Sequence, residues 1–131
     1  MSEENPVYNG IPINLFLTGR PCLVVGGGKV ALRKIHLLLD AGAEVAVVSP
    51  ESCEELGTLV EQGRVTHTCR RFEDEDVEGT SLVYAATNSR GATRRVLKCS
   101  RERNILCCCV DGNWADGDFI TPAITKHKQL T

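Results

Sequence analysis

The sequence predicts a single-domain α/β fold built on a doubly wound, mostly parallel sheet. Three observations predict it. Short apolar runs alternate with segments of helical periodicity along most of the chain, as strands joined by crossover helices require. The apolar runs are nearly unbroken, which suits strands covered on both faces. Three consecutive glycines separate the first such run from the first helix, a strand-to-helix turn typical of open α/β sheets.

The elements follow in order. Residues 21–25 are a short apolar run and form the first strand. Residues 29–41 carry Ala31, Ile35, Leu38 and Leu39 at helical spacing, and Gly42 follows as the C-cap. Residues 45–48 are a second buried strand, ended by Ser49 and Pro50. Residues 52–62 read as a helix with Ser52 as N-cap and Glu55 three residues later, and Gly63 ends it. Residues 65–69 alternate as a third strand, and residues 82–86 are a strongly apolar fourth. Residues 90–103 form a helix with Ala92, Val96 and Cys99 on one side, and residues 105–110 a fifth strand. Residues 119–124 read as a sixth strand, a reading that Pro122 weakens. Parallel neighbours require crossovers, which are almost always right-handed.

The totals narrow the function. The 131 residues make one domain and leave little room for a second, substrate-binding one. A net charge of −2 gives no electrostatic reason to expect nucleic acid or an anionic membrane. No apolar run approaches the roughly 20 residues of a membrane span. The polar, acidic start of the chain lacks the pattern of a secretory signal. The expected location is therefore the cytoplasm, where the seven cysteines stay reduced. Cys107, Cys108 and Cys109 do not read as a metal site. Consecutive strand residues point to alternate faces, and no Cys-x-x-Cys pair exists. Buried packing is the expected role for these thiols.

On an open α/β sheet, ligands bind at the carboxyl ends of the strands. Here those ends are Gly26 to Gly28, Ser49 to Glu51, Thr87 with Asn88, and Asp111. Gly26-x-Gly28-x-x-Ala31 lies between a strand and a helix, the context a dinucleotide fingerprint needs. This makes the fold Rossmann-type and the expected ligand NAD. Gly26 permits the tight turn, Gly28 lets a pyrophosphate reach the backbone, and Ala31 lets helix and strand pack closely. Gly27, Lys29 and Val30 complete the phosphate-binding segment, where the helix N-terminus offers N–H groups and partial positive charge. The bland reading is a tight turn with no ligand. The acidic residue common at the second strand end is replaced by Ser49, with Pro50 and then Glu51 as a substitute for holding ribose hydroxyls. No Arg or Lys follows Ser49 to hold a 2′-phosphate, so NAD is expected over NADP.

Several stretches together resemble a known family. They are Ile13-Asn14-Leu15-Phe16-Leu17, Gly19-Arg20-Pro21-Cys22-Leu23-Val24-Val25-Gly26-Gly27-Gly28, Val30-Ala31-Leu32-Arg33-Lys34 and Leu37-Leu38-Leu39-Asp40-Ala41-Gly42-Ala43. Ala85-Ala86-Thr87-Asn88, Cys109-Val110-Asp111 and Asp118-Phe119-Ile120-Thr121-Pro122-Ala123 continue the series. Their order and spacing resemble the N-terminal module of siroheme synthases, the precorrin-2 dehydrogenase and sirohydrochlorin ferrochelatase family. The resemblance implies NAD-dependent oxidation of precorrin-2 to sirohydrochlorin, with ferrous iron inserted afterwards by some members. It places the family's essential aspartate on Asp111, a general base at the end of the fifth strand. Asp111 also reads as a cap or turn residue before Gly112. The loop that follows is slightly long, so Asp116 or Asp118 stays open as sharing the role. Family chains continue past Leu130 with a dimerisation segment and a small helical domain. The resemblance therefore implies a homodimer for the longer form and weak catalysis by these 131 residues alone.

Other features carry blander expectations. Arg90, Arg94, Arg95, Lys98, Arg101 and Arg103 make a basic helix that could meet an acidic tetrapyrrole but reads first as a solvated face. His36, His67 and His127 lack metal-ligand spacing. His67 and Cys69 share one strand face, with no partners evident from sequence. A non-catalytic NAD-sensing regulatory domain is the alternative, since fold does not choose function. Ser49 argues against it, because such sensors usually carry an acid there.

Overall fold

A computed structural model describes residues 10–110 and 116–121. Among them, five strands form one all-parallel sheet: β1 (Pro21–Val25), β2 (Glu44–Val48), β3 (Val65–Thr68), β4 (Leu82–Ala85) and β5 (Leu106–Cys109). The order across the sheet is β3-β2-β1-β4-β5. Three helices connect them: α1 (Lys29–Asp40), α2 (Glu54–Glu61) and α3 (Arg90–Glu102). β3 passes to β4 through a single 3-10 turn, Asp74–Val77. The chain thus winds outward from β1 to β2 and β3, then returns to lay β4 on the other side of β1. The switch point lies between β1 and β4, where Val25 pairs with Ala85.

Helices cover both faces, so both alternating sets of strand side chains are apolar. On one face Cys22, Val24, Val45, Val47, Tyr84 and Cys108 pack against Ala31, Ile35 and Leu38 of α1 and Leu56 and Leu59 of α2. On the other, Leu23, Val25, Val83 and Cys107 pack against Val96 and Cys99 of α3 and Phe72 and Val77 of the β3–β4 crossing. Full burial of each Leu, Ile or Val contributes about 1.5–3 kcal/mol. The triple-cysteine strand behaves as packing requires, with Cys107 and Cys108 in opposite cores. Burial pushes the Cys107 thiol up to about 12 and those of Cys22 and Cys108 up to about 11. No group of three or more His, Cys, Asp or Glu able to hold a metal ion occurs among the described residues.

Many element ends shift by one residue from the sequence reading, and a few departures are larger or have a visible cause. α2 begins at Glu54 after Cys53, so Ser52 is not its N-cap; the Ser52 hydroxyl donates to the Cys53 carbonyl instead. Ala41 caps α1, and Gly42 follows it at φ +78°, where its N–H closes the helix on the Leu39 carbonyl. β3 ends at Thr68. The sixth strand is absent among the described residues: Phe119 packs edge-on against Tyr84 at 5.6 Å and lies in no strand, and residues 122–124 lie outside the described part. Among the described residues no helix is long and apolar enough to cross a membrane.

Candidate functional site

The sheet hydrogen bonding runs one residue past β1, β4 and β5 at their carboxyl ends. Gly26 N–H donates to Val48 O at 3.0 Å, Ala86 N–H to Val25 O at 2.8 Å, and Val110 N–H to Ala85 O at 3.0 Å. This aligned edge is where the candidate residues gather.

The three glycines do three different jobs. Gly26 sits at φ +135°, and a Cβ there would overlap the Ala86 carbonyl oxygen and lie 2.8 Å from its carbon. The turn therefore rests flat on the end of β4, at the switch point. A Cβ on Gly27 would overlap the Glu51 carbonyl oxygen and sit 2.6 Å from Ser49 Oγ. That glycine is needed because the segment after β2 presses against the turn, and Cys53 N–H donates to Gly27 O at 3.2 Å. A Cβ on Gly28 would meet nothing within 4 Å.

Gly28 is also the N-cap of α1, in extended backbone with no side-chain cap. The first N–H groups of a helix have no partner within it. Here no acidic residue stands in the first turn to neutralise them. Lys29 and Val30 occupy that turn on the exposed side, while Ala31 is fully buried against the sheet. An open, uncapped helix N-terminus behind a side-chain-free backbone fits an anionic diphosphate in charge and shape.

At the end of β2, Ser49 is only 3% exposed. Its hydroxyl donates to the Glu51 carbonyl, and its oxygens meet the His67 ring. Ser49 therefore holds the backbone of this corner, and Glu51, which is exposed, stands at its rim with Pro50. Cys69, just past β3, reaches the same corner, its thiol donating to Pro50 O at 3.4 Å. The His67 and Cys69 pair thus gains partners that sequence spacing did not reveal.

Across the switch point, the Thr87 hydroxyl accepts from Ser89 N–H at 3.2 Å. Ser89 caps α3 by accepting from Ala92 N–H at 3.2 Å. Sequence reading missed this cap, although a serine just before the first helical residue is its usual signal. Asp111 follows Val110 in sequence and lies outside the described residues.

Two candidates are placed elsewhere. The Asp118 carboxylate accepts from Cys107 N–H at 3.0 Å and pairs with Arg101 at 3.0 Å, while its own N–H donates to Cys107 O at 2.7 Å. Asp116 gives its carbonyl to Arg101 at 2.7 Å. A Cβ on Gly117 would lie 2.9 Å from Cys109 N. Residues 116–118 thus seal the edge strand β5, and the Asp118 carboxylate is committed to that task. Half of the basic helix's cationic residues pair with acidic neighbours: besides Arg101, Arg95 meets Asp74 at 2.7 Å and Arg103 meets Glu78 at 3.4 Å. Behind the switch point Tyr84 is buried, which pushes its hydroxyl up to about 12. It donates to Thr121 Oγ1 at 3.2 Å, and Lys34 donates to the same oxygen at 3.0 Å.

Comparison with known proteins agrees with this geometry. Residues 13–123 match a protein family described as "Putative NAD(P)-binding". The chain is 46% identical over 119 residues to a siroheme synthase of Thioalkalivibrio sulfidiphilus, covering 91% of this chain and 24% of that protein. It is 42% identical over 120 residues to the siroheme synthase of Methylobacillus flagellatus, covering 92% of this chain and 26% of the relative. Among solved structures it is similar to "SirC, precorrin-2 dehydrogenase", with a TM-score of 0.78 and 29% identity over 87% of this chain and 55% of that one. The chain therefore spans about a quarter of the length of those siroheme synthases.

Proposed function

This chain belongs to the NAD(P)-binding family matched over residues 13–123, and we propose that it is the NAD-binding part of a precorrin-2 dehydrogenase in siroheme biosynthesis. One observation carries the reading. Of three consecutive glycines, two are filled by the protein's own backbone and the third opens onto free space at an uncapped helix N-terminus. The N–H groups of Gly28, Lys29 and Val30 would hold the pyrophosphate. Glu51 would accept from the ribose hydroxyls, with Ser49 and Pro50 shaping the backbone that presents it. Thr87 would border the cofactor on the β4 side. Bound NAD would supply a hydride acceptor.

The substrate chemistry is the loss of one hydride and one proton from precorrin-2, giving sirohydrochlorin. We assign the proton to Asp111. It directly follows Val110, whose N–H is bonded to the end of β4. For the whole protein the same reading gives a cytoplasmic homodimer that takes a tetrapyrrole and, in its bifunctional form, ferrous iron as a second substrate. The names of the siroheme synthase relatives and of the dehydrogenase structure support the tetrapyrrole substrate.

The test is Asp111→Asn and Asp111→Ala in the full-length protein, with dehydrogenation followed by absorbance. Removing a general base costs about 10²–10⁴-fold in rate, so both variants should lose turnover while binding NAD normally. A folded Asp111→Ala enzyme with the unaltered rate would overturn the assignment.

A further inference from the structure

We propose that His67, on the edge strand β3, is a positioning residue that fixes the ribose corner of the cofactor site through Ser49. Its functional consequence rests on the NAD reading above; its structural part stands alone.

The strand register pairs Val47 with His67. Residues 47, 49 and 67 therefore face the same side, and the imidazole leans one step along the sheet toward Ser49. Its Nε2 lies 3.1 Å from Ser49 Oγ and 3.1 Å from Ser49 O. A hydroxyl has one proton to give, and Ser49 gives it to the Glu51 carbonyl. Toward His67, both Ser49 oxygens can then only accept. Nε2 must carry the proton, shared between them. The chain of donation is directed: His67 to Ser49, and Ser49 to Glu51.

That chain ends against the glycine turn. The Glu51 carbonyl lies where a Gly27 side chain would be, and Cys53 N–H donates to Gly27 O. The segment from Ser49 to Cys53 is thus clamped between His67 on one side and the phosphate-binding turn on the other. It carries Glu51. Ser49 is buried, so water cannot readily replace a lost imidazole donor. Without that donor the Ser49 side chain keeps only its bond to the Glu51 carbonyl, so the Glu51 backbone is held less firmly and its carboxylate is aimed less well. The competing explanation is that the imidazole merely fills space at the sheet edge.

His67→Leu keeps the bulk and removes the donor. His67→Gln returns an N–H donor on a side chain of similar reach. Two readouts separate the explanations: amide hydrogen exchange in the ligand-free chain, and NAD and ADP-ribose affinity by calorimetry. His67→Leu should speed exchange at Cys53 by about tenfold and weaken both ligands by about tenfold, the scale of one lost hydrogen bond. Amides of β1 and β4 should exchange as before, and His67→Gln should recover most of both losses. Unchanged Cys53 exchange in His67→Leu would overturn the proposal. So would faster exchange across all strands with no rescue by glutamine, which marks plain structural packing. Altered exchange with unaltered ligand affinity would overturn the link to the cofactor. Failure of the unmutated chain to bind NAD would instead overturn the NAD reading, and the exchange comparison would still decide the His67–Ser49 link.

Discussion

Alanine placed at Gly28 should leave the fold intact and weaken ligand binding. The added methyl meets no protein atom within 4 Å, and the backbone there is extended, so no strain arises. Alanine is a poorer N-cap than glycine, which costs a fraction of a kcal/mol up to about 1. The restricted unfolded chain returns about 0.4–1 kcal/mol. Net stability should therefore change by less than about 0.5 kcal/mol. The methyl instead stands where a pyrophosphate would reach the N–H groups of α1. Losing one charge-assisted hydrogen bond of about 1.5–3 kcal/mol weakens NAD binding by roughly 10- to 150-fold. Gly27→Ala makes the contrast, since its methyl would overlap the Glu51 carbonyl and sit 2.6 Å from Ser49 Oγ. Overpacking of that kind costs about 1–3 kcal/mol, so this variant should lose stability as well as affinity. Urea unfolding and calorimetric titration of both proteins provide the assay. Gly28→Ala with unchanged NAD affinity, or with a stability loss equal to that of Gly27→Ala, would refute the reasoning.

Three further outcomes follow from the same geometry. NAD should bind more tightly than NADP, because Glu51 repels a 2′-phosphate, and Glu51→Gln should narrow the gap in side-by-side titrations. Asp118→Ala should cost about 1–3 kcal/mol in urea unfolding by stranding the Cys107 N–H at the sheet edge, with NAD affinity unchanged. The buried thiols of Cys22, Cys107 and Cys108 and the Tyr84 hydroxyl have folded values raised above their unfolded ones. Their contribution is full below about pH 9 and is lost as pH rises toward 11 to 12. Urea midpoints should fall steeply over that window, by about 1.4 kcal/mol per pH unit for each group ionised only when unfolded. A flat profile would show that these side chains are accessible to water.

Most of the architecture was legible because hydrophobic period is a strong local signal. The runs 21–25, 45–48 and 82–86 had no polar residue to confuse them, and each became a strand with at most one residue's change at its end. The glycine turn was legible for the same reason: strand, glycines and helix are adjacent in sequence. What failed was what depends on distant partners. Ser52 looks like a cap, yet Cys53 is tied to Gly27, and the helix starts one residue after it. Asp118 looks like a spare carboxylate until Arg101 and the β5 edge claim it. His67 shows no partner in sequence because Ser49, its partner, stands 18 residues away, just past the end of the neighbouring strand. Ser49 occupies the position where the acid of the fingerprint would face a ribose. In the structure its hydroxyl turns inward, which only the packing of β2 against β3 could reveal.

The central claim is that NAD lies across the switch point with its pyrophosphate on the glycine turn. A nuclear magnetic resonance titration of the isotope-labelled chain with NAD tests it most directly. Amide shifts should concentrate at Gly26, Gly27, Gly28, Lys29, Val30 and Ala31, with a second cluster at Glu51, Ser52 and Cys53 and a weaker one at Thr87. The outer face of α3, around Arg94 and Lys98, should stay unmoved. Saturable shifts confined to that basic face, with the glycine turn silent, would contradict the account.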